Sequence, residues 1–325
     1  MISICSNGVL YRDERVQKFL NENKNRMSFS VTVDGDKALH DSCRVFPNGE
    51  GSYDLAEDAA LDWINRGYYM GSKLTIAPGN LEYLPDAFRH MLSMGYYEIN
   101  ANCVYEKGWE PEHATIFYEK LKKVADILIE RSDDDIFCSL FSESFFHAKK
   151  ESDIQNWCGG NGLMISIDPD GYIYPCIRYM ESSLGSEQPP VRIGDVDNGV
   201  GISCEHSNCI KCLRNITRRT QSTDECFYCP IAEGCSWCQA YNYQISGNFS
   251  TRATYICEMH KARALANVYY WNKLYEKLGT DNVFLNNVPE DWALKIVSKE
   301  ELDLLNSVVS QRVSSGCTPV NSDPE

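Results

Sequence analysis

The chain has 325 residues, 46 acidic against 31 basic, and its net charge of −15 disfavours binding to a phosphate backbone, so no nucleic-acid partner is expected. No run of about 18 apolar residues occurs, so no membrane span is expected. Fifteen cysteines could suggest a secreted disulfide scaffold, but Met-Ile-Ser-Ile-Cys-Ser-Asn-Gly lacks the basic region and apolar core of a secretory leader. A reducing, cytoplasmic setting is expected.

In chain order, residues 3–5 form a short apolar piece that ends in Ser6-Asn7-Gly8, a strand-to-turn signal. Residues 13–24 are helix-compatible, and residues 27–33 alternate as a strand that stops at Asp34-Gly35. Leu55, Ala59 and Trp63 recur at helical spacing within residues 53–66. Residues 73–77 read as a strand closed by Pro78-Gly79. Leu84, Phe88 and Met91 mark another helix, followed by a strand over 97–104 and a long amphipathic helix over 112–131. This alternation predicts βα units and a parallel sheet, an α/β fold.

The second half reads differently. Cys158 is followed by Gly171-Tyr-Ile-Tyr-Pro-Cys176 on an apparent hairpin, then by Cys226-x2-Cys229-x5-Cys235-x2-Cys238, and finally by Cys257. Short C-x2-C steps turn sulfurs toward one centre, and thiolates select zinc or iron–sulfur clusters. Seven such thiolates approach the eight of two four-cysteine sites. Structural zinc has the right ligands too, although Cys158…Gly-x4-Cys176 is not a usual zinc-ribbon spacing.

The ordered pattern C-x12-G-x4-C, gap, C-x2-C-x5-C-x2-C, gap, C resembles the SPASM domain of radical SAM peptide and protein maturases. It differs from the family spacing by one residue between Cys235 and Cys238. The resemblance implies an incomplete (β/α)6 radical SAM partial TIM barrel over residues 1–150 and a loop-rich, cysteine-ligated SPASM module over 151–280. Beyond it, in 281–325, residues 302–313 suggest a short helix, and the Ser/Pro/Asp-rich residues 314–325 are expected to be disordered. The resemblance implies two auxiliary [4Fe–4S] clusters. Cys158, Cys176 and Cys238 would ligate the inner one, with Cys212, Cys204 or Cys209 completing it or the position left open for substrate. Cys226, Cys229, Cys235 and Cys257 would ligate the outer one.

The N-terminal half carries weaker likenesses to the same family. Ser6-Asn7-Gly8 resembles the phrase that ends the family's third strand, and Ser30-Val-Thr-Val-Asp34-Gly35 with Arg44 resembles its fourth-strand segment. The resemblance implies that Thr32 and Arg44 help hold the carboxylate of S-adenosylmethionine and that Val104 borders its adenine. The plain alternatives are an inward strand residue for Thr32 and a solvated arginine for Arg44. Residues 1–325 contain no C-x3-C-x2-C, the loop that holds the family's third, catalytic [4Fe–4S] cluster. Cys204-x4-Cys209-x2-Cys212 comes close, with a first gap one residue too long. The expectation is a fragment or split gene, inactive by itself, and no catalytic residue is assigned.

Ile177 stands where sulfatase-maturing relatives carry an aspartate base, so the resemblance favours thioether formation in a cysteine-containing precursor peptide. An external electron donor such as flavodoxin or ferredoxin is implied. The competing readings are a sulfatase-maturase-like enzyme, a non-catalytic iron–sulfur protein and a zinc-bound module. Arg214 and Arg218-Arg219 read as a solvated basic face.

Overall fold

The computed structural model describes residues 2–150, 158–161, 163–201 and 203–322. Residues 2–143 begin with strand β1 (Ile2–Ser6), helix α1 (Glu14–Asn23), β2 (Met27–Val31), α2 (Lys37–Cys43) and α3 (Tyr53–Asn65). They continue with β3 (Gly71–Ile76), α4 (Leu84–Ser93), β4 (Glu98–Cys103), α5 (Pro111–Glu130) and β5 (Phe137–Cys138). β1 pairs parallel with β2, and β3, β4 and β5 form a parallel sheet in that order. The alternation of strand and helix expected from the sequence is present. β1 pairs with β2 alone among the described residues, which leaves it an edge.

Local chemistry sets the element ends. At Gly8 the chain turns with φ +77°, and a Cβ there would meet the Ala56 Cα at 3.0 Å, so only glycine suits the strand-to-helix turn. Asp13 caps α1 by accepting from the Arg15 N–H, and Asp36 caps α2 by accepting from Leu39. α5 starts with Pro111 in its first turn and buries Ala114, Phe117, Leu121, Val124 and Leu128, one stripe at helical spacing.

The described residues of 144–257 are loop-rich. The hairpin β6 (Ser166–Ile167) and β7 (Tyr172–Tyr174) is extended antiparallel by β8 (Gly194–Asp195) and β9 (Gly199–Val200). Gly171 makes its turn at φ +85°. Short helices follow: α6 (Glu181–Leu184), α7 (Cys204–Arg214), α8 (Arg218–Gln221), α9 (Asp224–Phe227) and α10 (Gln239–Ser246). A small core of Tyr174, Tyr179, Leu184, Leu213 and Ala240 has Cys176, Cys209 and Cys238 packed against it.

The chain ends with α11 (Cys257–Leu278), β10 (Asn282–Val283), α12 (Glu290–Ala293), α13 (Lys299–Ser314) and β11 (Thr318–Pro319). The chain divides into two compact units, residues 1–104, 109–143 and 258–320 in one, and 105–108, 144–257 and 321–325 in the other. The helix expected to close the cysteine module therefore belongs, beyond Cys257, to the α/β unit. Its polar side chains explain the assignment: Arg263 donates to the Leu140 and Ser139 carbonyls at 2.8 and 2.6 Å, and Asn267 accepts from the Ser142 N–H at 3.0 Å. The tail, expected to be disordered from residue 314, pairs instead: β11 lies parallel to β10 and Asn321 is fully buried. Residues 323–325 lie outside the described residues. No described helix is long and apolar enough to cross a membrane.

Candidate functional site

Cysteine thiols organise the second unit. The charges of Cys158 and Cys238 both act on the Cys176 thiol, whose pKa burial first and these neighbours next push up to about 11. Burial also raises the Cys158 thiol, with Cys238 adding to it. Gly160 lies beside two of these three sulfurs. A Cβ built there would lie 3.4 Å from the Cys158 sulfur and 3.8 Å from that of Cys176, so the glycine keeps open the space they share. Cys238 caps α10, its sulfur accepting from the Tyr241 N–H at 3.4 Å.

Polar groups converge on the same place. Arg178 hydrogen-bonds the Cys238 sulfur and pairs with Glu106; burial opposes its charge, and Cys238 and Glu106 outweigh that. The Tyr179 hydroxyl, Arg178 Nη1 and Glu106 Oε2 are buried without a hydrogen-bond partner. Buried polar atoms are rarely left unmatched, and two of these three, the Tyr179 hydroxyl and Arg178 Nη1, are donors that a group carrying acceptors would satisfy.

A second group involves Cys226, Cys229 and Cys235. Burial raises the Cys229 thiol, and the charges of Cys235 and Cys226 raise it further. Arg252 feels Cys235, Cys226 and Cys257, and donates from Nη2 to the Cys235 sulfur at 2.9 Å. Thr223 caps α9 through the Cys226 N–H and so fixes where that cysteine leaves the helix. The structure thus draws together Cys158 with Cys176 and Cys238, and Cys226 with Cys229 and Cys235. Cys257 lies within electrostatic reach of Arg252.

Among the described residues, no three His, Cys, Asp or Glu side chains stand close enough to share one metal ion. No disulfide joins the described cysteines.

Of the remaining expected ligands, Cys212 is exposed on α7, whereas Cys209 packs against the core that also receives Cys176 and Cys238. In the α/β unit, the Thr32 N–H donates to the Ser6 carbonyl, and its hydroxyl lies 3.4 Å from the Cys5 sulfur. Val104 follows β4 and donates to the Ile76 carbonyl at 2.9 Å. Arg44 is not a solvated arginine: its Nε pairs with the buried Asp34 carboxylate. Arg218, read as part of a solvated face, is only 2% exposed. Arg178, Tyr179, Glu106 and Arg252 were not singled out from the sequence. Charge pattern alone gives no signal for an arginine that turns inward onto a sulfur.

No protein-family model matches the chain, and no curated protein matches it. Solved structures do. A structure of hexahistidine-tagged anSMEcpe with bound AdoMet matches at 18% identity and TM-score 0.58, over 92% of this chain and 75% of that one. Native anSMEcpe with bound AdoMet and Kp18Cys peptide matches at 18% identity and TM-score 0.55, over 85% of this chain and 75% of that one. The same protein with AdoMet and Cp18Cys peptide matches at 18% identity and TM-score 0.53, over the same shares of the two chains. The chain shares their fold. anSMEcpe is an anaerobic sulfatase-maturating enzyme of the radical SAM, SPASM type, and at this identity the likeness speaks for architecture.

Proposed function

We propose that this chain is a radical SAM, SPASM-type peptide-modifying protein, with a partial (β/α)6 barrel in its α/β unit and two auxiliary [4Fe–4S] clusters in its cysteine unit. The observation that carries this reading is the grouping of Cys158, Cys176 and Cys238 beside Gly160, with Tyr179 and Arg178 donors unmatched next to it. The fold shared with an AdoMet-bound protein supports it. Cys226, Cys229, Cys235 and Cys257 hold the outer cluster in this reading. When bound, an inner cluster with three protein thiolates supplies an iron that accepts a substrate thiolate as a Lewis acid.

The chain's own groups do the rest. Arg178 donates to Cys238, the Tyr179 hydroxyl beside the same sulfurs is an unmatched donor that would meet the group they hold, and Glu106 orients Arg178. In the α/β unit, Thr32 and Val104 lie just past the carboxyl ends of β2 and β4, where parallel α/β folds bind ligands. Arg44 engages Asp34 through Nε, which leaves its Nη groups for the carboxylate of S-adenosylmethionine.

The substrate in this reading is a cysteine-containing peptide, and the reaction, in an enzyme that also carries the catalytic C-x3-C-x2-C cluster, is thioether formation. Peptide-bound structures of the same fold support a peptide. The sulfatase-maturase alternative has the fold likeness in its favour, but Ile177, 63% exposed just after Cys176, offers no carboxylate as a base. The test is electron paramagnetic resonance on the anaerobically reconstituted chain, with and without a synthetic cysteine-containing peptide. A shifted inner-cluster signal with the cysteine peptide, and none with its serine counterpart, is expected; identical spectra with both contradict the thioether reading.

A further inference from the structure

Two cations, one buried and one half-buried, lie beside the outer cysteine group. Arg218, at the start of α8, is 2% exposed, and its Nε has no hydrogen-bond partner. Its nearest acceptor is the Cys235 carbonyl, 3.5 Å from Nη1. Arg252 donates from Nη2 to the Cys235 sulfur at 2.9 Å and from Nη1 to the Ser222 hydroxyl at 3.5 Å. Both guanidiniums face the Trp237 ring, at 5.7 and 5.2 Å from its centroid. Each arginine lies close enough for the other's charge to act on it.

Two like charges in one poorly hydrated place are costly unless an anion matches them. Glu233 is within electrostatic reach of Arg218, but it is already paired with Lys149. Among the described residues neither arginine forms an ion pair with a carboxylate, and the sulfurs of Cys226 and Cys235 lie within electrostatic reach of both. A cluster held by four thiolates is a net anion whose charge grows by one unit on reduction. Cations and hydrogen bonds at its sulfurs therefore stabilise the reduced form more than the oxidised one.

The inner group is built differently. Arg178 donates to Cys238, but Glu106 is paired with that same guanidinium and cancels most of its charge. We propose that Arg218 and Arg252 set the reduction potential of the outer cluster above that of the inner one, which makes the outer set the preferred one-electron acceptor of the pair. This rests on the cluster reading of the two cysteine groups. The step is a single electron taken up by the outer cluster from an external reductant, with no bond made or broken.

The experiment is a dithionite titration of the full chain, loaded anaerobically with iron and sulfide and followed by electron paramagnetic resonance. A Cys176→Ala/Cys238→Ala background isolates the outer signal. In that background Arg252→Gln is expected to lower the reduced-to-oxidised ratio at fixed potential at least tenfold, about 59 mV for a one-electron couple. Arg252→Lys, which keeps the charge and loses the planar fork, is expected to shift it less. Arg218→Met preserves bulk at the buried position and is expected to shift it in the same direction as Arg252→Gln. In a Cys226→Ala/Cys229→Ala background, neither arginine change is expected to move the inner signal. Iron-loaded variants whose outer potential matches the parent, or an inner potential above the outer, overturn the proposal alone. Failure of the parent chain to take up iron and sulfide is seen before any titration, and it overturns the cluster reading and this inference together.

Discussion

Arg44 donates its Nε to the carboxylate of Asp34, which is 5% exposed and also accepts from the Thr75 N–H at 3.3 Å. The pair ties the end of α2 to the loop after β2 and the carboxyl end of β3. Arg44→Gln leaves a buried carboxylate without its cation, a change that costs about 1–3 kcal/mol once the partial exposure of the arginine is allowed for. Urea denaturation should show that loss. Adding Asp34→Asn should restore part of it, because the stranded charge is then gone.

His40 gives a pH signature. Its Nδ1 accepts from the Asp34 N–H at 3.3 Å and its Nε2 lies 3.2 Å from the Ser52 hydroxyl, an arrangement that suits a neutral ring. Burial, the largest influence, lowers its pKa below 6.5. Between the folded and unfolded values the unfolded chain binds more protons, so stability rises with pH there. The contribution is complete above about pH 6.5 and is lost as pH falls through the folded value. Denaturation midpoints measured from pH 7.5 down to 5 should decline more steeply for the parent than for His40→Gln.

The βα alternation was legible because strand periodicity and Gly/Pro punctuation are local signals, and β1 through α5 lie close to where those signals place them, except for the short α2, which carries no such signal and was not read. The neighbourhood of Cys226, Cys229 and Cys235 is a local matter of short C-x2-C steps, whereas the grouping of Cys158 with Cys176 and Cys238 was expected from the family resemblance alone. What could not be read was the long-range chemistry. Arg218 and Arg252 sit among ordinary polar residues, and only the fold turns them onto Cys235. The pairing of Thr318 and Pro319 with Asn282 and Val283 likewise depends on where α13 brings the chain back. A Ser/Pro/Asp-rich tail carries no local strand signal.

Gly160 provides a focused test of the inner site. A methyl group there makes ordinary contacts of 3.4 and 3.8 Å with the two sulfurs, so the metal-free fold should survive Gly160→Ala. The space between the sulfurs would be filled. The variant should retain the circular dichroism of the parent and lose about half of the bound iron, from the inner set.

Cys204, Cys209 and Cys212 all lie on α7. Helical geometry puts Cys209 and Cys212 about 60° apart and Cys204 about 140° from Cys209 around the axis. Three sulfurs so distributed do not converge on one cluster that leaves an iron open for S-adenosylmethionine. The 325-residue chain should therefore release no 5′-deoxyadenosine when incubated with S-adenosylmethionine and dithionite. Robust product, measured by chromatography and abolished by Cys209→Ala, would show that α7 does what its spacing argues against.

The most direct measurement is the iron and acid-labile sulfide content of the chain after anaerobic reconstitution, set beside two double variants. The account predicts about eight irons and eight sulfides per parent chain, and about four of each in both Cys176→Ala/Cys238→Ala and Cys226→Ala/Cys229→Ala. Stoichiometric zinc without sulfide, or an iron content that neither pair of substitutions changes, would contradict it.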